Sequence, residues 1–242
     1  MKNHFSVKAH QAVLRGDFRA GEGNQLIVIQ KIICLAFAVH AKLSTPTLFH
    51  CDRTVVPEDC NATAVFPLTD VFTVSERVHQ LITDRPATRI IRQAFYIKDR
   101  CIGSSAEGFP DLVGFSDAVK AYGESLRAQC PSPCVVLQHR TGKDWVPHAK
   151  AFPAANVSAT TLKLALRPYA GYNQLLLAPE RLPNELSIAR IRHDDTVLPT
   201  IRFLGEVYVA AHAHAFLYND LSTTRHLVKR FAAPGLRMVK LR

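Results

Sequence analysis

The chain has 242 residues, of which 48% are hydrophobic and 21% charged, and its formal net charge is +10. That length, with a mean hydropathy of +0.02, excludes wholesale disorder and suits a packed core of one domain or two small ones. Six cysteines without a repeated spacing are too sparse for a small disulfide scaffold and point to a reducing, cytoplasmic setting.

Residues 1–24 mix charge with Gly16, Gly21 and Gly23 and show no sustained period, so they read as a loose N-terminal arm. The strongest apolar segment follows, from Leu26 to Val39. Its start, Ile27-Val28-Ile29, suits a strand, whereas Ile29, Ile33 and Phe37 recur every four residues; the length of the run favours a helix. Secretion through residues 26–41 is disfavoured, because Asp17 and Glu22 stand where a short basic leader belongs. A membrane span needs about 20 apolar residues, and Gln30 and Lys31 interrupt this run.

From Ser44 to Asp70 the apolar runs are short, and Pro46, Cys51, Pro57, Cys60 and Pro67 suggest an irregular connection that could hold a boundary. Two helices are predicted next. One is capped by Ser75, with Val78, Leu81 and Ile82 on one face, and the other runs from Ala87 to Ile97 beyond Arg85-Pro86. After a loop from Gly103 to Gly114, Ser116 caps a third helix, on which Ala118, Val119, Tyr122 and Leu126 share a face and which Pro131 ends. Beyond Pro133 the texture changes to short runs: Cys134 to Leu137, Ala159 to Leu166, Gln174 to Leu177, Leu186 to Ile191, Thr196 to Phe203 and Glu206 to Ala211. Read as strands, they give an α+β fold: an N-terminal helical part followed by a mostly antiparallel sheet, with a basic C-terminal helix or tail. Residues 25–220 form a single α+β domain on this reading, and 221–242 a separate basic segment.

Two clusters contain metal-ligand chemistry. If 206–211 is a strand, His212 and His214 point to one face near its end, and His193 or Asp194 adds a third ligand for a divalent metal such as zinc. An open coordination position would activate water, which makes a metal-dependent hydrolase one functional reading. On a helix the two imidazoles would point apart, and no cofactor would be needed. The second cluster is Cys130-Pro131-Ser132-Pro133-Cys134, whose spacing falls within the range of structural zinc sites, with His50, Cys51, Cys60, His139 and His148 as completing ligands. Its two prolines remove backbone donors that support thiolates, and there is no second tight cysteine pair; buried or free thiols are the plain alternative. The chain contains no nucleophile elbow and no Walker loop. Gly21-Glu22-Gly23 runs into Asn24 without the third glycine of a dinucleotide fingerprint, and Asp111 lacks the acidic partner that a nuclease needs.

Charge is concentrated at the end of the chain. After Asp220 there is no acid, and Arg225, Lys229, Arg230, Arg237, Lys240 and Arg242 give the last 22 residues +6 against +4 for the preceding 220. Ser222 would cap a helix to Phe231, Pro234-Gly235 would break it, and the last seven residues alternate weakly. These six residues suit phosphate contacts without sequence specificity, so the leading expectation is a non-specific nucleic-acid-binding protein, RNA included. An acidic protein or an anionic membrane surface is the other class of partner. The third reading is an orphan protein without a defined biochemical activity, since local signals seldom agree along the chain.

Overall fold

The computed structural model describes residues 12–16, 22–49, 65–91, 109–139, 150, 157–177, 186–219 and 222–241. The chain divides into two compact units, Met1–Ser116 and Asp117–Arg242. In chain order the first unit contains β1 (Val13–Gly16), α1 (Glu22–Ala38), β2 (Lys42–Ser44), β3 (Thr47–Phe49), β4 (Val65–Pro67), α2 (Leu68–Val71), β5 (Phe72–Val74), α3 (Glu76–Leu81), β6 (Ile82–Thr83), β7 (Arg89–Ile91) and β8 (Leu112–Phe115). The second contains α4 (Asp117–Arg127), β9 (Cys134–Gln138), α5 (Ala159–Leu166), β10 (Asn173–Leu176), β11 (Ala189–Arg190), α6 (Pro199–Ala211), β12 (Ala215–Asn219), α7 (Thr224–Arg230) and β13 (Arg237–Leu241).

The first unit is built on a parallel sheet of order β6-β2-β1-β7, with two small antiparallel ladders, β3-β4 and β5-β8, beside it. Helix α1 is the long apolar run of the sequence. Its Leu26, Val28, Ile32, Ile33 and Ala36 are buried, and His40, at φ 50, turns the chain out of the helix into β2. Among the described residues no helix is long and apolar enough to cross a membrane. A buried carboxylate ties this unit together. Asp111, 1% exposed, takes two hydrogen bonds from the Arg77 guanidinium at 2.6 and 2.9 Å, one from Gln30 Nε2 at 2.8 Å and one from Ser75 Oγ at 2.7 Å. Burial alone would raise the Asp111 pKa; the bonds from Arg77, Gln30 and Ser75 outweigh it and leave the pKa below the ordinary carboxylate value.

The second unit is a five-stranded sheet, β11-β10-β9-β12-β13, in which every pair is parallel. Its core combines one face of the sheet (Val135, Leu137, Leu176, Ala215, Leu217 and Leu241) with Leu162 and Leu166 of α5. Helix α6 packs on β9 and β12, and α4 and α7 pack on α6. Helices that cover both faces of a parallel sheet explain why β9, Cys-Val-Val-Leu-Gln, is a continuous apolar run rather than an alternating one.

Both sheets correct the expected antiparallel arrangement. Parallel strands require long crossovers, and three of the runs read as strands are parts of the crossover helices. The run 159–166 is α5, capped by Ser158, whose Oγ accepts from the Thr161 backbone N–H at 3.1 Å. The runs 196–203 and 206–211 form the single helix α6 with Pro199 at its first position; nine of its thirteen residues are buried, so it lacks the polar stripe that identifies a surface helix. At its other end the helical part is corrected too, since Arg89–Ile91 within the expected helix 87–97 is β7. Nor is the terminal segment a tail: Gly235, at φ 89, turns the chain from α7 into β13, which pairs with β12 along its whole length.

Candidate functional site

In the second unit the strands in chain order, β9, β10, β11, β12 and β13, lie in the spatial order 3-2-1-4-5. The direction of winding therefore reverses between β9 and β12. In an open parallel sheet this reversal leaves a crevice at the carboxyl ends of the two strands, because the connections leave them in opposite directions. Strand β9 ends in Gln138, with His139 next in the chain, and β12 ends in Tyr218-Asn219; the register pairs Tyr218 with Gln138, so Asn219 stands level with His139. The chain then turns through Ser222, whose N–H donates to the Asn219 carbonyl at 3.0 Å, into α7.

Among the described residues, three polar side-chain atoms near this end of the sheet are buried without a hydrogen-bond partner. Gln138 Oε1, His139 Nδ1 and Ser222 Oγ have no hydrogen bond, although His139 is 4% exposed and Ser222 1%. Leaving such groups unmade costs about 1–3 kcal/mol each, so three at one end of one sheet call for ordered water or a ligand there. The kind of ligand follows from the atoms. His139 Nε2 faces the Val157 carbonyl at 3.3 Å and must be the protonated nitrogen, which leaves Nδ1 as an acceptor in the neutral ring. Gln138 Oε1 is also an acceptor, while the Ser222 hydroxyl can donate. The trio suits a molecule with N–H or O–H donors at one part and an anionic oxygen at another.

The residues singled out from the sequence lie elsewhere in this unit. His193 Nε2 meets Glu206 Oε1 at 2.7 Å and its Nδ1 meets the Tyr122 hydroxyl at 2.9 Å. Nε2–H donates to the Glu206 carboxylate and Nδ1 shares a hydrogen bond with the Tyr122 hydroxyl, so the imidazole links α4 to α6. Asp194 accepts from the N–H and the hydroxyl of Thr196 in a turn. His212 ends α6, stacked on Tyr208 at 4.0 Å, and His214 lies 4.8 Å from the Tyr172 ring. The helical alternative for 206–211 thus applies, and among the described residues no group of three or more His, Cys, Asp or Glu could hold a metal ion. Cys130 and Cys134 form a disulfide, whereas His50, Cys51, Cys60 and His148 lie outside the described residues.

Of the basic residues, Arg225, Lys229 and Arg230 are on α7, Arg237 and Lys240 are on β13, and Arg242 lies outside the described residues. Gln138, His139 and Ser222 were missed as a group, because 84 residues separate the ends of the group and only the strand order brings them to one place. The signal in the sequence was the pair of apolar runs, 134–137 and 215–218, each ending in polar residues.

No family model matches the chain, and no curated protein matches it in sequence. Solved structures do match its fold. A crystal structure of POFUT1 in complex with GDP superposes with a TM-score of 0.64 at 13% identity, over 98% of this chain and 99% of the other. POFUT1 in complex with GDP-fucose gives 0.61 at 12%, over the same shares, and an apo form gives 0.59 at 12%. The chain has the POFUT1 fold. This overturns the expectation of a non-specific nucleic-acid or RNA binder with a basic arm: the POFUT1 complexes are with GDP or GDP-fucose, and here most of the arm is helix and strand of the second unit.

Proposed function

We propose that this protein is a glycosyltransferase that binds a nucleoside-diphosphate sugar at the carboxyl end of the second unit's sheet. The observation that carries the reading is the coincidence of the winding reversal between β9 and β12 with the unpartnered Gln138 Oε1, His139 Nδ1 and Ser222 Oγ. A nucleotide has ribose hydroxyls and base N–H groups for the two acceptors and phosphate oxygens for the serine hydroxyl. The POFUT1 fold, solved with GDP and GDP-fucose, supports the same class of donor.

In such a reaction the bond between the sugar's anomeric carbon and the diphosphate oxygen breaks, an acceptor hydroxyl oxygen bonds to that carbon, and the acceptor's proton leaves to a base. The second unit's part is to hold the nucleotide so that binding energy from the unreacting base and ribose orients the reacting carbon. The Cys130–Cys134 bridge supports an oxidising compartment over the cytoplasm for the folded chain.

Thermal unfolding in the presence of GDP, GDP-fucose, UDP-glucose and ADP, followed by calorimetric titration, tests this reading. One of the diphosphates raises the midpoint and binds once per chain, and His139→Ala weakens that binding about tenfold. If none of the four shifts the midpoint at millimolar concentration, the reading is wrong.

A further inference from the structure

The amino ends of β9 and β12, opposite the proposed donor site, border a cavity of about 300 Å³, close to the lower limit of the clefts that hold small molecules. Cys130 and Cys134 both line it, so their disulfide is reached from the cavity although the two residues are only 6% and 7% exposed. Sulfurs recessed in this way are out of reach of another protein's surface, whereas a small solute can enter beside them.

The bridge adds little to what the turn around it already fixes. Four positions separate the cysteines, so closing so short a loop removes little entropy from the unfolded chain. The turn has ties of its own. The Cys130 N–H donates to the Arg127 carbonyl at 2.9 Å, and the His214 N–H donates to the Cys134 carbonyl at 2.8 Å. Asn173 holds the middle of the turn, donating from Nδ2 to the Pro131 carbonyl at 2.7 Å and from its backbone N–H to the Pro133 carbonyl at 3.1 Å. Cys134 also opens β9, where it pairs with Asn173 of β10, and Pro131 and Pro133 fix two of the turn's φ angles. Opening the S–S bond therefore leaves the end of α4 and the start of β9 in place, with the two sulfurs side by side.

We propose that Cys130–Cys134 is an exchange site at which a small-molecule thiol, of glutathione's size or below, opens the bridge of the folded chain and is held as a mixed disulfide. The thiol loses its proton and its sulfur bonds to one cysteine sulfur; the S–S bond of the bridge breaks, and the other cysteine leaves as a thiolate that takes up the proton. Reversal follows the same path. The freed cysteine, kept next to the mixed disulfide by the turn, attacks it, restores the bridge and expels the small thiol. Oxidising lumens hold such thiols alongside protein disulfides, so the exchange suits the compartment that the bridge supports. The site is independent of the proposed glycosyl transfer, since it lies at the other end of the strands.

The test treats the folded, full-length chain with millimolar glutathione, quenches with iodoacetamide and maps the cysteines by peptide mass spectrometry, with far-UV circular dichroism recorded in parallel. Glutathione on one of Cys130 and Cys134, and the alkyl group on the other, is expected while the dichroism stays unchanged. Glutathione tethered to a long polyethylene glycol should react about tenfold more slowly with the folded chain, yet as fast as free glutathione with the chain in urea. Ala128 is an exposed residue of the cavity lining, and Ala128→Trp, which fills the entrance, should slow the folded chain's reaction with glutathione about tenfold and leave the rate in urea as it was. The proposal is overturned if the bridge stays closed in the folded chain, opens only as the dichroism is lost, reacts equally fast with the free and the tethered thiol, or is indifferent to Ala128→Trp.

Discussion

The ring of Tyr208 fills the space that a side chain would occupy at Gly123: a methyl group on Gly123 would stand 2.5 Å from Tyr208 Cγ and 2.8 Å from its Cβ. The relation is reciprocal, because a methyl group on Gly205 would stand 2.7 Å from Tyr122 Cδ1. Helices α4 and α6 thus pack through two glycine seats, each occupied by a tyrosine of the other helix. Gly123→Ala sets a helix-propensity gain of about 1 kcal/mol against an overpacking cost of about 1–3 kcal/mol. The clashing atoms are at the root of the Tyr208 side chain, where a rotamer change brings little relief, so the cost wins and the denaturant midpoint falls. Gly123→Ala combined with Tyr208→Ala should lose less than the sum of the two, and a double-mutant cycle measures that coupling.

Acid should destabilise the first unit through Asp111. Its folded pKa is depressed, so the stabilisation is fully present above the carboxyl's unfolded value and is lost as pH falls through the lower folded value, below about pH 4. Urea midpoints between about pH 2 and 6 should drop steeply for the wild type and less for Asp111→Asn. Arg77→Ala leaves the carboxylate buried with Gln30 and Ser75 as its named donors and should cost about 1–3 kcal/mol at neutral pH.

Ser222→Ala should move stability and binding in opposite directions. Removing a buried hydroxyl that has no partner leaves the unliganded chain as stable as before or up to about 1 kcal/mol more so. The same change should weaken nucleotide-sugar binding about five- to tenfold. A fall in both quantities would mean that Ser222 serves the fold and not a ligand.

Deleting residues 237–242 should unfold the second unit rather than trim a tail. Strand β13 makes the full ladder with β12 and buries Leu241 to 3% exposure. Leu241→Ala alone should cost about 2–4 kcal/mol. Far-UV circular dichroism of the truncated chain at low and high salt checks this, since loss of a strand is insensitive to salt and loss of a phosphate-binding arm is not.

Much of the local structure was legible. Ser75 does precede α3, with Val78 and Leu81 buried, and the face carrying Val119 and Leu126 does bury α4. The run 134–137 is β9, and the long apolar run after residue 24 is helical. What failed was the distinction between strand and helix in runs that are apolar all round. Gly205 looked like a break between two strands, but it is the seat of Tyr122 inside one helix, a role that depends on a residue 83 positions away. The candidate site was illegible for the same reason. Gln138, His139 and Ser222 acquire meaning only from the order in which strands are laid beside β9, and strand order is a property of the crossovers.

Strand β13 is also the outermost strand of its sheet among the described residues, with one side paired to β12. An open strand edge is a template on which a second copy can add, and basic side chains there oppose that addition through repulsion and the loss of their hydration. Arg237 and Lys240 are exposed on this strand. Part of the positive charge at the end of the chain therefore stands on a strand edge, where charge opposes pairing with a second copy.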